Sequence, residues 1–188
     1  IILADSGFKV VGYDVIRDMV NDINNGSPPF YEKGLSSLLK FHVNNGNFRA
    51  VSSLNKEICD VYIVNVGTPV EGDHKADIEH LKKATMQIGK ILKTRDTVIL
   101  RSTVPVGTTR NILLPILEKE SNLKGGEAFY LAFAPERTVA GKALEELRTL
   151  PQIIGGLNRR SLDIVSNLFS NLNTTIVRMS SLEAAEMI

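Results

Sequence analysis

Short apolar runs alternate with amphipathic stretches along the whole chain. Seven runs have the length and composition of β-strands, at residues 8–14, 48–51, 60–66, 97–99, 127–133, 152–155 and 174–177. Residues 60–66 (DVYIVNV) are almost continuously apolar, which is typical of a central parallel strand buried on both faces. Strands that alternate with helices predict an α/β fold with a doubly wound parallel sheet.

Between these runs, apolar residues recur at helical spacing. The predicted helices cover residues 16–24, 35–43, 77–93, 108–119, 140–148 and 161–172, with a helix tail before Ser6 and a further helix after Ser180 or Ser181. Residues 27–34 form a proline-rich loop, and residues 71–76 form a polar loop. Pro115 should kink its helix or mark the first turn, because it lacks a backbone N–H.

Residues 97–110 (TVILRSTVPVGTTR) carry the strongest sign of a ligand site. A β-branched run stops at a turn rich in hydroxyl groups, and a helix restarts at Thr108 or Thr109. In open α/β sheets, ligands bind outside the carboxyl ends of the strands, where helix starts offer N–H groups to an anion or a carbonyl. The alternative is an ordinary connection whose Ser and Thr residues cap a helix.

Composition narrows the class of protein. The 188 residues suffice for one large domain, and a formal charge of +1 without a basic run argues against a nucleic-acid partner. No apolar run approaches the ~20 residues of a membrane span. The single Cys59 excludes an internal disulfide framework and suits a reducing, cytoplasmic compartment. His42, His74 and His80 lack metal-ligand spacing, so no zinc site is expected.

Asp14 ends the first strand-like run. In dinucleotide-binding βαβ units, a Gly-rich turn precedes a ribose-binding carboxylate by roughly 20 residues. Only thirteen residues precede Asp14, so a ribose role would place the first strand and the Gly-rich loop before residue 1. The alternative role for Asp14 is to cap the helix at residues 16–24.

Four motifs together identify a family. They lie at residues 10–14 (VVGYD), 67–69 (GTP), 102–109 (STVPVGTT) and 134–137 (APER). In this order and spacing they resemble the nucleotide-sugar 6-dehydrogenases of the UDP-glucose/GDP-mannose dehydrogenase family. The resemblance implies a Rossmann-like NAD-binding domain over residues 1–178. Residues 179–188 resemble the start of the family's central helical region, through which the parent enzyme is expected to form a homodimer.

The residues after Glu136 resemble one branch of the family. Arg137, Gly141 and the helix at residues 144–147 are similar to the branch that oxidises UDP-N-acetylated hexosamines, such as UDP-N-acetylmannosamine. The UDP-glucose branch usually has an aromatic residue after that glutamate and a second glutamate shortly beyond. Here the second position is Ala140, so no role resting on it is carried over.

The resemblance also implies a chemistry. The parent enzyme would oxidise the C6 alcohol of a UDP-sugar to a carboxylate with two NAD⁺, through a thioester on a cysteine of a second domain, and so make a polysaccharide precursor. Cys59 does not suit that role, because it starts a strand and lies ~20 Å from the ligand edge. We therefore interpret Cys59 as a buried structural thiol and expect the nucleophile outside this chain.

Glu136 and Thr103 are the catalytic candidates that the resemblance implies. A carboxylate between a strand end and a helix start can hold or activate water for thioester hydrolysis. The alternative for Glu136 is a helix-start carboxylate stabilised by the helix dipole. Thr103 should bond the nicotinamide ribose or an ordered water, with Ser102 the weaker candidate because side chains alternate at a strand end.

The remaining candidates surround the cofactor and the substrate. Gly67 allows close backbone approach, and Thr68 should line the adenosine half. Arg17 could stack on adenine, although Asp14 would repel the 2′-phosphate of NADP, so NAD is expected. Arg137 is expected to meet the substrate diphosphate, or otherwise to form a solvent-facing ion pair. Glu32 resembles a residue of a loop flanking the cofactor, with a solvated side chain as the alternative.

Two other functions stay open at this point. A β-hydroxyacid dehydrogenase shares the NAD-binding domain and a following long helix, although the run at residues 102–109 argues against it. A catalytically inert nucleotide-binding fragment is the alternative from another class, because a missing first strand would remove the centre of the sheet.

Overall fold

The computed structural model describes residues 1–54, 59–70, 76–172 and 175–188, which form two compact units. Their described parts are residues 1–54, 137–150 and 171–172 in the first unit, and residues 59–70, 76–136, 151–170 and 175–188 in the second. Among these residues, no helix is both long enough and apolar enough to cross a membrane.

Helices and strands alternate along most of the chain. In order they are α1 (Ile2–Asp5), β1 (Val10–Tyr13), α2 (Arg17–Asn24), α3 (Leu35–Asn44), β2 (Phe48–Val51), β3 (Val61–Val64), α4 (Glu79–Gly89), β4 (Thr97–Leu100), a π-helical turn (Thr109–Leu113), α5 (Leu114–Ser121), β5 (Tyr130–Phe133), α6 (Ala143–Thr149), β6 (Gln152–Gly156), α7 (Arg159–Ser170), β7 (Ile176–Arg178) and α8 (Leu182–Glu186).

The first unit contains a two-stranded parallel sheet in which Val10 pairs with Phe48 and Tyr13 with Val51. Asn24, at the end of α2, exchanges two hydrogen bonds with the backbone of Ala50, at 2.8 and 2.9 Å. This side chain therefore fixes α2 against β2. The helix α6 also belongs to this unit.

The second unit contains a five-stranded sheet in the order β3-β4-β5-β6-β7. Its centre is fully buried, with Val98, Ile99, Leu100, Leu131 and Ala132 each 0% exposed. Strands buried on both faces consist of continuous apolar residues, as β4 does. The prediction that residues 60–66 form a central strand buried on both faces is wrong, because β3 is the outermost of the five strands described and its Val61 and Ile63 are only half-buried. The α/β fold with helices alternating with mostly parallel strands is confirmed.

One strand pair departs from the expected parallel sheet. β5 and β6 are antiparallel, with Ala132 opposite Gly156 and Phe133 opposite Gly155. The connection between them runs through the first unit instead of returning along the sheet. β6 therefore begins at the edge where β5 ends, whereas a parallel neighbour would need a crossover back to the opposite edge.

Several boundaries differ from the prediction. The helix expected at residues 77–93 is shortened to α4, and the strand expected at residues 127–133 begins only at Tyr130. Pro115 lies in the first turn of α5, directly after the π-helical turn, so its predicted role at a helix start is confirmed. Ser181 caps α8 by accepting a hydrogen bond from the Ala184 N–H at 3.1 Å. Residues 71–75 of the predicted polar loop, with His74, and Thr174 of the last predicted strand lie outside the described residues.

Candidate functional site

Three neighbouring strands of the second unit, β3, β4 and β5, run parallel and are followed by polar residues. We call these residues the carboxyl edge: Gly67, Thr68, Arg101, Ser102, Thr103 and Glu136. Parallel strands place their carboxyl ends at one edge of a sheet, which is where α/β proteins bind ligands. The sequence predicted this convergence for all of these residues except Arg101.

The loops after β3 and β4 are joined by one hydrogen bond. The Thr68 hydroxyl donates to the Thr103 carbonyl at 2.5 Å. Thr103 itself is exposed, and a Cβ added to Gly67 would meet no atom of the described residues within 4 Å. The two loops are therefore held together while leaving open surface beside Gly67.

Ser102 contrasts with its neighbour Thr103. Ser102 is only 5% exposed, and its hydroxyl has no hydrogen-bond partner among the described residues. A buried hydroxyl without a partner loses its hydration without compensation, so a ligand or water atom that reached it would be favoured. Ser102 is thus buried and Thr103 exposed, but the strict alternation expected at a strand end is absent, because Arg101 before them is buried as well.

Arg101 is buried at the end of the central strand β4 and is 6% exposed. Its Nη2 donates to Glu136 Oε2 at 2.8 Å, and its Nη1 donates to Gln152 Oε1 at 3.2 Å. The guanidinium carbon also lies 5.0 Å from the centre of the Phe169 ring. Sequence reasoning missed both Arg101 and Gln152; the available signal was an arginine directly following a buried strand.

Glu136 is not a helix-start carboxylate. Two residues separate it from the end of β5, and the next helix, α6, begins at Ala143. The helix-dipole alternative is therefore wrong, because no helix begins at this residue. The Glu136 side chain is 28% exposed and forms a salt bridge with Arg101.

The helix start after residues 102–107 is occupied by a carboxylate of the chain itself. Glu186 of α8 accepts hydrogen bonds from the Gly107 N–H at 2.5 Å, the Thr109 N–H at 2.8 Å and the Thr109 hydroxyl at 2.5 Å. The expectation that these N–H groups face a ligand is therefore wrong. They serve to anchor α8.

A second carboxylate of α8 strengthens this anchor. Glu183 lies 2.5 Å from Arg110, which follows Thr109. The hydrogen bond from Arg110 is the main reason that the pKa of Glu183 falls from 4.5 to about 2. Glu183 and Glu186 thus bind the same turn of helix from one side. Sequence reasoning missed this role for Glu186.

In the first unit, Asp14 directly follows β1 and is half-buried. Its Oδ1 accepts a hydrogen bond from the Ile16 N–H at 2.9 Å, while α2 begins at Arg17 with Ile16 as its N-cap residue. One carboxylate oxygen therefore shapes the entry to α2, and Arg17 lies exposed in its first turn.

Glu32 is buried in the first unit, at 6% exposure. Its Oε2 accepts a hydrogen bond from the Gly141 N–H at 2.8 Å. The alternative of a solvated Glu32 side chain is therefore wrong. Arg137 is exposed, and Cys59 is half-buried at the amino end of β3, away from the carboxyl edge.

Comparison with known proteins gives this geometry a family. Residues 1–173 match the family model described as the UDP-glucose/GDP-mannose dehydrogenase family, NAD binding domain. The chain belongs to this family. The resemblance inferred from the four sequence motifs is thereby confirmed, and NAD is the cofactor for which the domain is described.

Curated relatives of this NAD-binding domain include dehydrogenases of two different nucleotide sugars. The chain is 34% identical to a GDP-mannose 6-dehydrogenase of Pseudomonas putida, over 99% of this chain and 44% of the relative. It is 32% identical to a UDP-N-acetyl-D-mannosamine dehydrogenase of Methanococcus maripaludis, over 99% of this chain and 42% of the relative. The chain therefore spans less than half the length of these relatives.

Solved structures show the same likeness for the NAD-binding domain. A ternary complex of GDP-mannose dehydrogenase from Pseudomonas aeruginosa superposes with a TM-score of 0.93 at 29% identity, covering 98% of this chain and 44% of that one. A UDP-D-ManNAc dehydrogenase from Pyrococcus horikoshii gives a TM-score of 0.93 at 29% identity, with the same coverage. Family membership decides against the β-hydroxyacid dehydrogenase alternative.

The candidate residues of this NAD-binding domain fall in both units. Asp14, Arg17 and Arg137 belong to the first, whereas the carboxyl edge belongs to the second. Within the second unit, the structure joins Thr68 to Thr103 and Arg101 to Glu136. The convergence of Asp14 with the carboxyl edge on one nicotinamide pocket stays a prediction.

Proposed function

We propose that the chain is the NAD-binding part of a nucleotide-sugar 6-dehydrogenase that acts on a UDP-(N-acetyl)hexosamine. The supporting observation is the carboxyl edge, where Glu136 is held by Arg101 beside the joined loops of Thr68 and Thr103. The arrangement occurs in a chain that belongs to a family of such dehydrogenases. The product would be a uronate that serves as a polysaccharide precursor.

The proposed overall reaction is a four-electron oxidation. The C6 alcohol, two NAD⁺ and one water give a C6 carboxylate, two NADH and three protons. Each NAD⁺ accepts one hydride when bound. The aldehyde formed in the first oxidation is captured as a thiohemiacetal by a cysteine in another part of the complete protein, which the second oxidation converts to a thioester. Water attacks the thioester carbonyl, the carbon–sulfur bond breaks, and the thiolate leaves.

The described residues fit an NAD cofactor. The Ser102 hydroxyl is buried without a partner among them, and Gly67 leaves open space in which a ligand can approach the backbone. We assign Ser102 and Thr103 to the nicotinamide ribose, and Gly67 and Thr68 to the adenosine half. Asp14 would accept hydrogen bonds from the adenosine ribose.

Arg17 and Asp14 together favour NAD over NADP in this proposal. Arg17 is exposed in the first turn of α2, three residues after Asp14, where its planar guanidinium can stack on adenine. The Asp14 carboxylate would repel a 2′-phosphate on the same ribose.

Glu136 and Thr103 are the proposed catalytic residues. Glu136 would take a proton from the water that attacks the thioester, since a carboxylate within hydrogen-bond reach of water acts as a general base. Thr103, which is exposed and directly follows Ser102, would hold that water or the nicotinamide ribose. Arg137 follows Glu136 and is exposed, and we assign it to the substrate diphosphate, whose geometry a planar guanidinium suits.

The choice of sugar rests on the residues that follow Glu136. Ala140 stands where the UDP-glucose branch usually has a second glutamate, and Arg137 stands in place of an aromatic residue. These residues favour a UDP-N-acetylated hexosamine. A GDP-sugar is the second candidate substrate, because a GDP-mannose 6-dehydrogenase is among the similar relatives.

We also propose the setting in which the enzyme works. Residues 1–178 would form the NAD-binding domain, and residues 179–188 would lead into a central helical region through which two copies associate. A single cysteine and a formal charge of +1 fit a cytoplasmic enzyme without a nucleic-acid or membrane partner.

The test is turnover by the complete protein with UDP-N-acetylmannosamine, GDP-mannose and UDP-glucose. We expect two NADH per sugar oxidised, with the highest kcat/KM for UDP-N-acetylmannosamine. One NADH per sugar, or equal rates for all three, would contradict the proposal. A calorimetric titration of the 188-residue chain with NAD⁺ separates cofactor binding from turnover. Binding without turnover by the complete protein would favour the inert nucleotide-binding alternative.

A further inference from the structure

We propose that Arg101 is a positioning residue that fixes the Glu136 carboxylate at the carboxyl edge. This inference rests on the catalytic role proposed above for Glu136. It concerns a residue that contributes to the rate by acting through another side chain. Three features of the second unit carry it: the burial of Arg101, the set of groups around its guanidinium, and the direction of β6.

The burial of Arg101 gives it a structural reason to be paired. A guanidinium that is 6% exposed has lost most of its hydration, and an unpaired buried charge is strongly unfavourable. Glu136 supplies a carboxylate at 2.8 Å, and Gln152 supplies a neutral acceptor at 3.2 Å. The pairing thus restrains both partners, because moving the Glu136 carboxylate would leave the guanidinium without its counter-charge.

The backbone of Arg101 is fixed as well as its side chain. Its N–H donates to the Val64 carbonyl of β3 at 2.9 Å, and its carbonyl accepts from the Glu136 N–H at 3.3 Å. Arg101 is therefore bonded to the neighbouring strand on one side and to Glu136 on the other. The Phe169 ring, 5.0 Å from the guanidinium carbon, limits movement of the head group further.

Glu136 needs such an anchor because it lies in a segment without regular structure. Two residues separate it from the end of β5, and α6 begins only at Ala143. A side chain on such a segment samples many rotamers unless a fixed group holds it, and a general base must be held in place to act. Arg101 meets Glu136 at two points, one through the backbone and one through the side chain.

The antiparallel β6 completes the arrangement. Because β6 begins where β5 ends, its first residue, Gln152, lies beside Arg101 at the carboxyl edge. A strand parallel to β5 would have placed its first residue at the opposite edge. Gln152 is 6% exposed, and its amide oxygen holds the second arm of the guanidinium. The planar fork of arginine suits these two acceptors, whereas the single ammonium of lysine does not.

The experiment compares Arg101→Lys, Glu136→Gln and the double variant in the complete enzyme. We expect Glu136→Gln to lower kcat by about 10²–10⁴-fold, the usual contribution of a general base. Arg101→Lys should lower kcat by about 10–100-fold, since it keeps the charge and loses the orientation, and KM should fall with kcat because the thioester accumulates when its hydrolysis becomes slow. In the Glu136→Gln background, Arg101→Lys should have little further effect, because Arg101 acts through the carboxylate.

Pre-steady-state kinetics separate positioning from general damage. Both oxidations precede hydrolysis, so a burst of two NADH per active site should persist in Arg101→Lys, followed by a slow steady state. Arg178→Lys is the matched control, because Arg178 also pairs with a carboxylate, that of Asp163, at an exposed position in the same unit. This control should keep both the burst and the steady-state rate.

Each outcome decides the inference. The positioning role would be overturned, with Glu136 remaining the base, by any of three results. These are an unchanged kcat in Arg101→Lys, loss of its NADH burst, or a double variant whose loss in kcat equals the product of the two single losses. Unchanged kcat in Glu136→Gln would instead overturn the catalytic role in the proposed function. If Arg101→Lys does not fold, Gln152→Met in the same cycle releases one arm of the guanidinium. A loss in kcat that disappears in the Glu136→Gln background would support the inference, and unchanged kcat would overturn it.

Discussion

Removing the Glu186 carboxylate should destabilise the second unit. This side chain accepts hydrogen bonds from the Gly107 N–H, the Thr109 N–H and the Thr109 hydroxyl, at 2.5, 2.8 and 2.5 Å. Thr109 is 0% exposed, so its N–H and hydroxyl groups would have little access to water after Glu186 is replaced by alanine. Glu186→Ala therefore removes a helix cap and also releases α8 from this turn.

The magnitude follows from the number of donors left without a partner. Loss of a helix cap costs about 0.5–2 kcal/mol, and an additional buried donor without a partner costs about 1–3 kcal/mol. Water can enter beside the half-buried Glu186, so the lower part of the combined range applies. We expect Glu186→Ala to lower the free energy of unfolding by about 2–3 kcal/mol. Glu186→Gln should lose about 1 kcal/mol, because its amide keeps one acceptor oxygen.

Urea denaturation of the variants measures this loss. Glu127→Ala is the control, because Glu127 pairs with Lys124 at a position where both side chains are about 70% exposed. The control should unfold at the same urea concentration as the parent chain. A loss below about 0.5 kcal/mol for Glu186→Ala, within the range of ordinary surface substitutions, would refute the reasoning. It would mean that water satisfies the donors of Gly107 and Thr109 as well as the carboxylate does.

Three further predictions concern the same unit. The pKa of Glu183 is lowered from 4.5 to about 2, so its pairing with Arg110 stabilises the fold above about pH 5 and is lost as the pH falls toward 2. The parent chain should exceed Glu183→Gln in unfolding free energy by about 1 kcal/mol after solvent screening. Urea titrations should show this difference shrinking over the same pH range. Gly67→Ala should leave the melting temperature unchanged, because the new Cβ would lie in open space, and it should weaken NAD⁺ binding in calorimetry, because the cofactor would occupy that space. Gly107→Ala should instead lower the melting temperature, because Gly107 has a φ of +91° that alanine rarely adopts. Ser102→Ala should not destabilise the chain, since the hydroxyl has no partner among the described residues, and it should weaken NAD⁺ binding; a clear loss of stability would indicate a bound water in place of a ligand group.

The strands that carry the carboxyl edge could be predicted from the sequence because each is a short apolar run that ends at a turn. Residues 97–99 lie in the fully buried β4, where a polar residue would lie in the core, whereas residues 60–66 form the outermost strand described, with Val61 and Ile63 half-buried. Strand ends are also marked locally, by glycine, proline and hydroxyl residues that leave the sheet. Thr68, Ser102, Thr103 and Glu136 were therefore placed at strand ends without knowledge of their partners.

Long-range partners carry no such local mark. The Thr109 N–H and the Glu186 carboxylate that accepts its hydrogen bond are 77 residues apart, and each residue is locally compatible with other roles. A Thr at a helix start predicts a cap, and a Glu on a predicted helix is locally compatible with an ordinary solvent-facing position. Since local rules satisfy both residues separately, the sequence predicted a helix start open to a ligand where the structure has an internal contact.

The direction of β6 has a similar cause, and it decides the composition of the site. An apolar run such as residues 152–155 indicates a strand but not its direction, which depends on where the preceding connection ends. The helix at Ala143–Thr149 predicted an ordinary crossover and hence a parallel strand, whereas this helix belongs to the first unit. The reversal brings Gln152 to the carboxyl edge, where it bonds Arg101. A single error in strand direction therefore hid one of the acceptors that hold the guanidinium, and with it the reason for an arginine at the end of a buried strand.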